Sequence, residues 1–221
     1  MTSHPGLKEA PTRSLAEFSH TIPTGHIQNR KLRNGENRFH ITLLTAKEAR
    51  SLSKEDLNEL KQALVGQSCL PLGIGESEGC YFIVVSFPHA EMLRRKYGLP
   101  PRDFHVTLAF PEGGDRHDVN KDASAIVRYF DIPAQETEWW IQMARTNFVA
   151  IRKKEPHTLE LQDICNLLRN LTTIIQNNPA KQGTLLQQAA KLWCEAAGLA
   201  PDFPTVVTAA GIWLEEEPEN A

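Results

Sequence analysis

RFHITLL at residues 38–44 returns in nearly the same form as DFHVTLAF at residues 103–110. Each copy places a histidine and a threonine two positions apart among aromatic and β-branched residues, a composition typical of β-strands. Successive side chains of a strand point to opposite faces, so the histidine and the threonine of one copy share a face. Both copies are therefore predicted to be strands that direct polar groups to one side and apolar groups to a core.

Four polar side chains follow from this pattern: His40, Thr42, His105 and Thr107. Polar groups within an apolar strand cost free energy unless a partner satisfies them, and an anion bound between the two copies would do so. The hydroxyls would hold phosphoryl oxygens. One imidazole would act as base and the other as acid, because histidine titrates near neutral pH. A phosphate site that needs no metal is therefore predicted. A single His-x-Thr would be a weak signal, and the duplication makes it a specific one.

The pair FHITL and FHVTL resembles the doubled H-x-T signature of the 2H phosphoesterase superfamily, which includes 2′-5′ RNA ligase-like proteins and cyclic nucleotide phosphodiesterases. PPRDFHVTLAF, followed by DRHDVNKD, is also similar to the 2H domain of eukaryotic proteins described as Swiss-army-knife RNA-repair-like. The resemblance covers roughly residues 20–125.

The resemblance implies an α+β fold of two-lobed antiparallel sheets with pseudo-twofold symmetry, to which this chain adds a C-terminal helical extension. It implies His40 and His105 as catalytic residues, Thr42 and Thr107 as phosphate-binding residues, and no cofactor or metal. His117 and Lys121 match the pattern through the resemblance alone.

The chain is expected to divide into a flexible lead-in with the first elements (1–30), a 2H-like α+β domain (31–132) and a mainly helical region (133–221). Further helices are predicted at 53–66, where Ser53 and Asp56 form a capping box, and at 89–98, and a strand at 80–87. Residues 71–79 are expected to be a glycine-rich turn and residues 120–130 a helix. In the last region the predicted helices are 134–154, which two strands could replace, 159–176, 184–198 and 204–214.

Composition limits the function classes. A net charge of −3 over 221 residues argues against coating duplex DNA, which needs a clustered basic face. No apolar run is long enough to span a membrane, and the N-terminus lacks the apolar core of a secretory signal, so a cytoplasmic location is expected, with the nucleus left open. The four cysteines show no zinc or redox spacing.

Three further residues are candidates for substrate binding. Tyr81 could stack on a base, with core packing as the alternative, and Arg38 and Arg102 flank the motifs and could attract an anion.

The expected activity is hydrolysis of a 2′,3′-cyclic phosphate on an RNA end or a small nucleotide. Three alternatives stay open: a catalytically silent nucleotide- or RNA-binding module, an RNA ligase or cyclic-oligonucleotide phosphodiesterase using the same residues, and a scaffold whose C-terminal helices bind a protein partner.

Overall fold

The computed structural model describes residues 18, 21–36, 38–116, 118–178 and 183–200. The described residues up to Pro133 form one compact unit, and those from Ala134 onward form another. None of the helices in these ranges combines the length and the apolar character that a bilayer crossing requires.

The first unit mixes helices with one antiparallel sheet. Its helices are α1 (Thr24–Asn34), α2 (Ala46–Ser51), α3 (Lys54–Ala63) and α4 (Pro88–Lys96). Its strands are β1 (Leu70–Ser77), β2 (Cys80–Ser86), β3 (Phe104–Ala109) and β4 (Ile126–Tyr129), and a 3-10 turn (Ala123–Ala125) precedes β4. The strand order is β3-β2-β1-β4. The α+β class is confirmed.

The capping box of α3 is also confirmed. The Ser53 hydroxyl accepts a hydrogen bond from the Asp56 amide at 3.0 Å, and the Asp56 carboxylate accepts from the Ser53 amide at 3.2 Å. The two side chains thereby satisfy amide groups that a helix N-terminus leaves without partners.

Residues 24–34 form a helix that was not predicted from the sequence. Two local predictions were wrong. The glycine-rich stretch is strand β1, which lies between β2 and β4, and residues 126–129 are strand β4 rather than helix. In each case tertiary pairing or packing outweighs local composition.

Two positions of β1 require glycine because neighbouring atoms lie very close to its backbone. A Cβ atom at Gly73 would overlap the backbone carbonyl oxygen of Arg128 in β4, and one at Gly75 would overlap the ring of Phe82. Gly75 pairs with Phe82 across the sheet, so the fully buried ring lies over the strand at a position without a side chain.

The first motif pairs with this sheet at one backbone bridge. Ile41 forms one antiparallel bridge with Val106 of β3, and the residues around it belong to no strand. The strand prediction for residues 38–44 is therefore correct only at this bridge. The two motifs run antiparallel beside each other at this bridge.

The two faces of the sheet differ in chemistry. On one face a hydrophobic cluster contains Val85, Phe104 and Val106 together with Ile41 and Leu43 of the first motif. On the other face His105 pairs with Val84, and Thr107 pairs with Phe82. The alternation predicted for residues 103–110 is thus realised, with apolar groups inside and the histidine and threonine opposite.

The second unit consists of helices. They are α5 (Ala134–Lys153), α6 (Leu161–Asn177) and α7 (Gly183–Ala197). Residues 134–153 form one helix rather than two strands, as expected. The buried amide oxygen of Asn147 in α5 accepts hydrogen bonds from the Thr158 and Leu159 amides at 2.9 and 3.0 Å, which fixes the connection to α6. The helix predicted at 204–214 lies outside the described residues.

Gly73→Ala should destabilise the first unit, because the new methyl group meets a backbone carbonyl that cannot move away. Overpacking of this kind costs about 1–3 kcal/mol. Chemical denaturation measures the change. Gly25→Ala is the matched control, since nothing lies within 4 Å of a Cβ there and Gly25 sits in α1. Wild-type stability in Gly73→Ala would contradict the packing described for β1.

Candidate active site

The bridge between Ile41 and Val106 sets the geometry of the repeated motif. In the antiparallel register that this bridge begins, Thr42 is the residue opposite His105 and His40 is the residue opposite Thr107. Directly opposed residues have Cβ atoms about 5 Å apart and diagonal ones about 7–8 Å apart. In a regular ladder of this register the two histidines would lie at diagonal corners of a four-residue array, and the two threonines would lie at the other two corners.

Arg94 holds the end of the first motif in place. Its side chain is buried in α4, and its guanidinium donates to the Leu43 carbonyl at 2.6 Å and to the Pro100 carbonyl at 2.7 and 3.0 Å. Leu43 lies near the end of the first motif, and Pro100 lies in the segment just before β3. One planar guanidinium therefore joins these two segments of the chain. Glu48 neutralises the buried charge at 2.6 Å.

The Glu48 carboxylate is itself tightly held. Its second oxygen accepts from the Thr45 amide at 2.7 Å, as part of the capping box of α2. The hydrogen bond from Arg94, followed by those from Thr45, lowers the pKa of Glu48 to about 2. The carboxylate thus remains ionised, and its support for the fold is lost only as the pH falls from about 4.5 towards 2.

Arg30 holds the segment before the first motif. This buried side chain of α1 donates to the Leu108 carbonyl of β3 at 3.3 Å and to the carbonyls of Gly35 and Glu36 at 3.0 and 2.9 Å. Its guanidinium also lies 4.4 Å from the ring centroid of Phe39, the residue next to His40. The first motif is therefore fixed at both ends, although it makes only one sheet bridge.

His105 is half-buried and has a defined tautomer. Its Nδ1 lies 3.2 Å from the Asp103 carbonyl oxygen, which can only accept, so Nδ1 carries the hydrogen and Nε2 has a free lone pair. Burial lowers the pKa of His105 to about 4, and the positive charge of Lys121 adds to the effect. The ring meets Phe82 edge-on at 5.9 Å. At neutral pH this imidazole is uncharged and can accept a proton at Nε2.

Thr107 belongs to a chain of polar groups. Its hydroxyl donates to Asp115 Oδ2 at 3.1 Å, and Asp115 Oδ1 accepts from the Lys121 ammonium at 2.5 Å. The Lys121 and Asp115 side chains are 5% and 12% exposed. Both residues lie in the loop after β3, which reaches the same face of the sheet as the histidines.

The first motif has a more open environment. His40 is exposed and Thr42 is half-buried. The two copies of one sequence pattern therefore present one histidine to solvent and one to a partly buried polar cluster.

The three secondary candidates lie in different places. Tyr81 is 8% exposed and packs with Ile22 and Ala109 in a hydrophobic cluster. The Arg102 guanidinium lies 3.8 Å from the Glu48 carboxylate, and its positive charge opposes protonation of His105. Arg38 is exposed and lies against Gly35. His117 is outside the described residues.

Sequence reasoning missed both buried arginines and Asp115. Helical periodicity could have predicted that both arginines are buried. Arg94 lies on the same side of α4 as the buried residues Ala90 and Leu93. Arg30 follows Ile27 by three residues in α1 and so shares its face of the helix. Asp115 lies in a loop, where no periodicity marks a buried side chain. Within the described ranges, histidine, cysteine and carboxylate side chains form no group of three that could hold a metal ion.

Residues 8–116 match a family model described as Swiss Army Knife, 2H phosphoesterase domain. The match includes both motifs and Asp115 and ends before Lys121. Neither the curated proteins nor the solved structures gave a match.

Arg94→Met should destabilise the first unit by about 3–5 kcal/mol, because it removes one partner of a buried ion pair and leaves Glu48 without its main donor. Chemical denaturation measures the loss. Lys96→Met, on the exposed side of the same helix, is the matched control. It breaks an ion pair with Glu59 in which both side chains are more than half exposed, so a much smaller loss is expected than for Arg94→Met. Equal losses in the two variants would show that Arg94 does not hold the motif.

His105 should titrate near pH 4 in an NMR experiment on the imidazole ring, with Nδ1 protonated at neutral pH. Lys121→Met should raise this pKa, because it removes a positive charge that opposes protonation of the ring. Lys61→Met, which removes an exposed charge from α3, should leave it unchanged. A normal histidine pKa in the wild type would refute the description of this site.

Proposed function

Because residues 8–116 make the chain a member of the 2H phosphoesterase superfamily, we propose that it hydrolyses 2′,3′-cyclic phosphates of RNA ends or small nucleotides by two-histidine acid–base catalysis. The superfamily acts on phosphodiester bonds, and the 2H domain indicates a nucleotide or RNA substrate. The finer assignment rests on the arrangement of the four motif residues.

The observation that carries the proposal is the register set by the Ile41–Val106 bridge. In-line displacement at phosphorus needs a base beside the attacking oxygen and an acid beside the leaving oxygen, on opposite sides of the phosphoryl group. A regular ladder in this register would set His40 and His105 diagonally, about 7–8 Å apart at Cβ, and that separation leaves room for a phosphate between them. Thr42 and Thr107 flank it on the other diagonal.

His105 is assigned as the general base. Its Nε2 has a free lone pair at neutral pH, because Nδ1 donates to the Asp103 carbonyl and the lowered pKa keeps the ring uncharged. Water gives a proton to Nε2 as its oxygen bonds to phosphorus. His40, in its protonated form, gives a proton to the ribose oxygen as the bond between that oxygen and phosphorus breaks. After the reaction His105 is protonated and His40 is neutral. Proton exchange with solvent then restores the starting state of both rings.

The threonines are assigned to the phosphoryl oxygens, where negative charge builds in the transition state. The Thr107 hydroxyl donates to Asp115 in this structure, so it must rotate about its C–O bond to donate to the phosphate. Lys121 remains bonded to Asp115 and would keep the carboxylate paired after this rotation.

His40→Ala and His105→Ala should each lower kcat/KM for a 2′,3′-cyclic mononucleotide by at least about 100-fold, the usual contribution of one acid or base. Hydrolysis is measured in EDTA, with the product identified by chromatography, and the wild-type rate should not depend on the chelator. His157→Ala removes a histidine from the second unit and should have no effect.

Full activity in either motif variant would refute the mechanism. A wild-type protein that binds the nucleotide with no turnover would instead identify a binding module.

A further inference from the structure

Lys121 is a lysine in an unusual position for its residue type. Its side chain is only 5% exposed, whereas most lysines extend into solvent. Its ammonium bonds to Asp115, whose other oxygen accepts from the Thr107 hydroxyl. Two bonds therefore connect the ammonium to a proposed phosphate-binding threonine.

The ammonium also lies near His105. Its positive charge helps to lower the pKa of the His105 ring, and both groups lie beside Phe82, whose ring centroid is 6.0 Å from Lys121 Nζ and 5.9 Å from the His105 ring centroid. Phe82, His105 and Thr107 share one face of the sheet, as their pairing register shows. The positive charge is thus part of the face on which the two motifs meet.

Burying an ammonium group costs free energy, and one ion pair satisfies only part of its hydrogen-bonding capacity. Removing a charge from water costs several kcal/mol, even after relaxation. The group has three N–H donors, and among the described residues Asp115 Oδ1 is the hydrogen-bond acceptor that the structure gives it. The remaining donors are available to an incoming group with acceptor oxygens, and a phosphate is such a group.

We infer that Lys121 binds a non-bridging phosphoryl oxygen of the substrate, with Asp115 as the positioning residue that aims the ammonium at it. This inference rests on the proposed function and extends it to a residue beyond the segment that matches the family model. Binding of the phosphate would turn the Thr107 hydroxyl from Asp115 towards the substrate. The anion would then receive a donor from Thr107 and a full positive charge from Lys121.

Lys121 would act more strongly on the transition state than on the bound substrate. A cyclic phosphodiester carries one negative charge, and attack by water adds a second to the phosphoryl oxygens before the leaving oxygen is protonated. A fixed cation in a partly buried site stabilises that added charge without reorganisation. The loss of Lys121 is therefore expected mainly in kcat.

The first test compares Lys121→Met with Lys61→Met in hydrolysis of a 2′,3′-cyclic mononucleotide. Both variants lose one positive charge, and Lys61 is exposed on α3. We expect Lys121→Met to lower kcat/KM by about 100-fold, as the loss of one preorganised donor does, and Lys61→Met to match the wild type. Lys121→Arg, which keeps the charge, should recover part of the rate. Wild-type kcat/KM in a folded Lys121→Met protein would overturn the inference.

The second test uses the wild-type protein, so it does not depend on the folding of a variant. Inorganic phosphate is titrated while NMR follows the side-chain resonances of Lys121, with sodium chloride at equal ionic strength as control. We expect a saturable shift of the Lys121 signals with phosphate and none with chloride. The same response to both salts, or none to either, would overturn the inference.

The two tests separate this inference from the proposed function. Phosphate binding at Lys121 in a protein that turns over no cyclic nucleotide would refute the hydrolase and support the phosphate contact. Turnover that depends on both motif histidines but not on Lys121 would support the hydrolase and refute the contact.

Discussion

Two buried arginines hold the first histidine motif against the edge of the sheet, and the geometry of the site depends on them. The motif makes one bridge with β3. A single bridge would by itself do little to prevent the motif from shifting its pairing register along β3. Arg94 fixes its end to the approach of β3, and Arg30 fixes its beginning to the Leu108 carbonyl. A guanidinium suits this role because its donors are arranged in a rigid plane.

The same sequence pattern occupies two different environments. His40 is exposed, whereas His105 is half-buried, bonded to a backbone carbonyl and close to a buried ammonium. Acid–base chemistry needs two groups whose protonation states differ at one pH. In the proposed mechanism, the antiparallel register at the bridge supplies matching positions, and the loop after β3 supplies the asymmetry that would let two identical side chains act as acid and as base.

Much of the local structure could be predicted from the sequence. The alternation in residues 103–110 gave the correct faces of β3, and the spacing of Ser53 and Asp56 gave the start of α3. The errors came where a neighbouring strand determined the outcome. Residues 70–77 contain three turn-forming residues, Pro71, Gly73 and Gly75, yet form a strand because the Phe82 ring and the β4 backbone lie against the two glycines.

The sequence by itself identified the candidate site residues, because a repeated His-x-Thr within apolar residues specifies both the residue types and the face that they are predicted to share. It could not determine how the two copies meet. That depends on one bridge, on Arg30 and Arg94, and on Asp115 and Lys121 from a loop. The bridge and the arginine contacts join residues far apart in the chain, and loops and single buried charges show no periodicity in a sequence. Only the tertiary structure therefore decided the register and the electrostatics of the site.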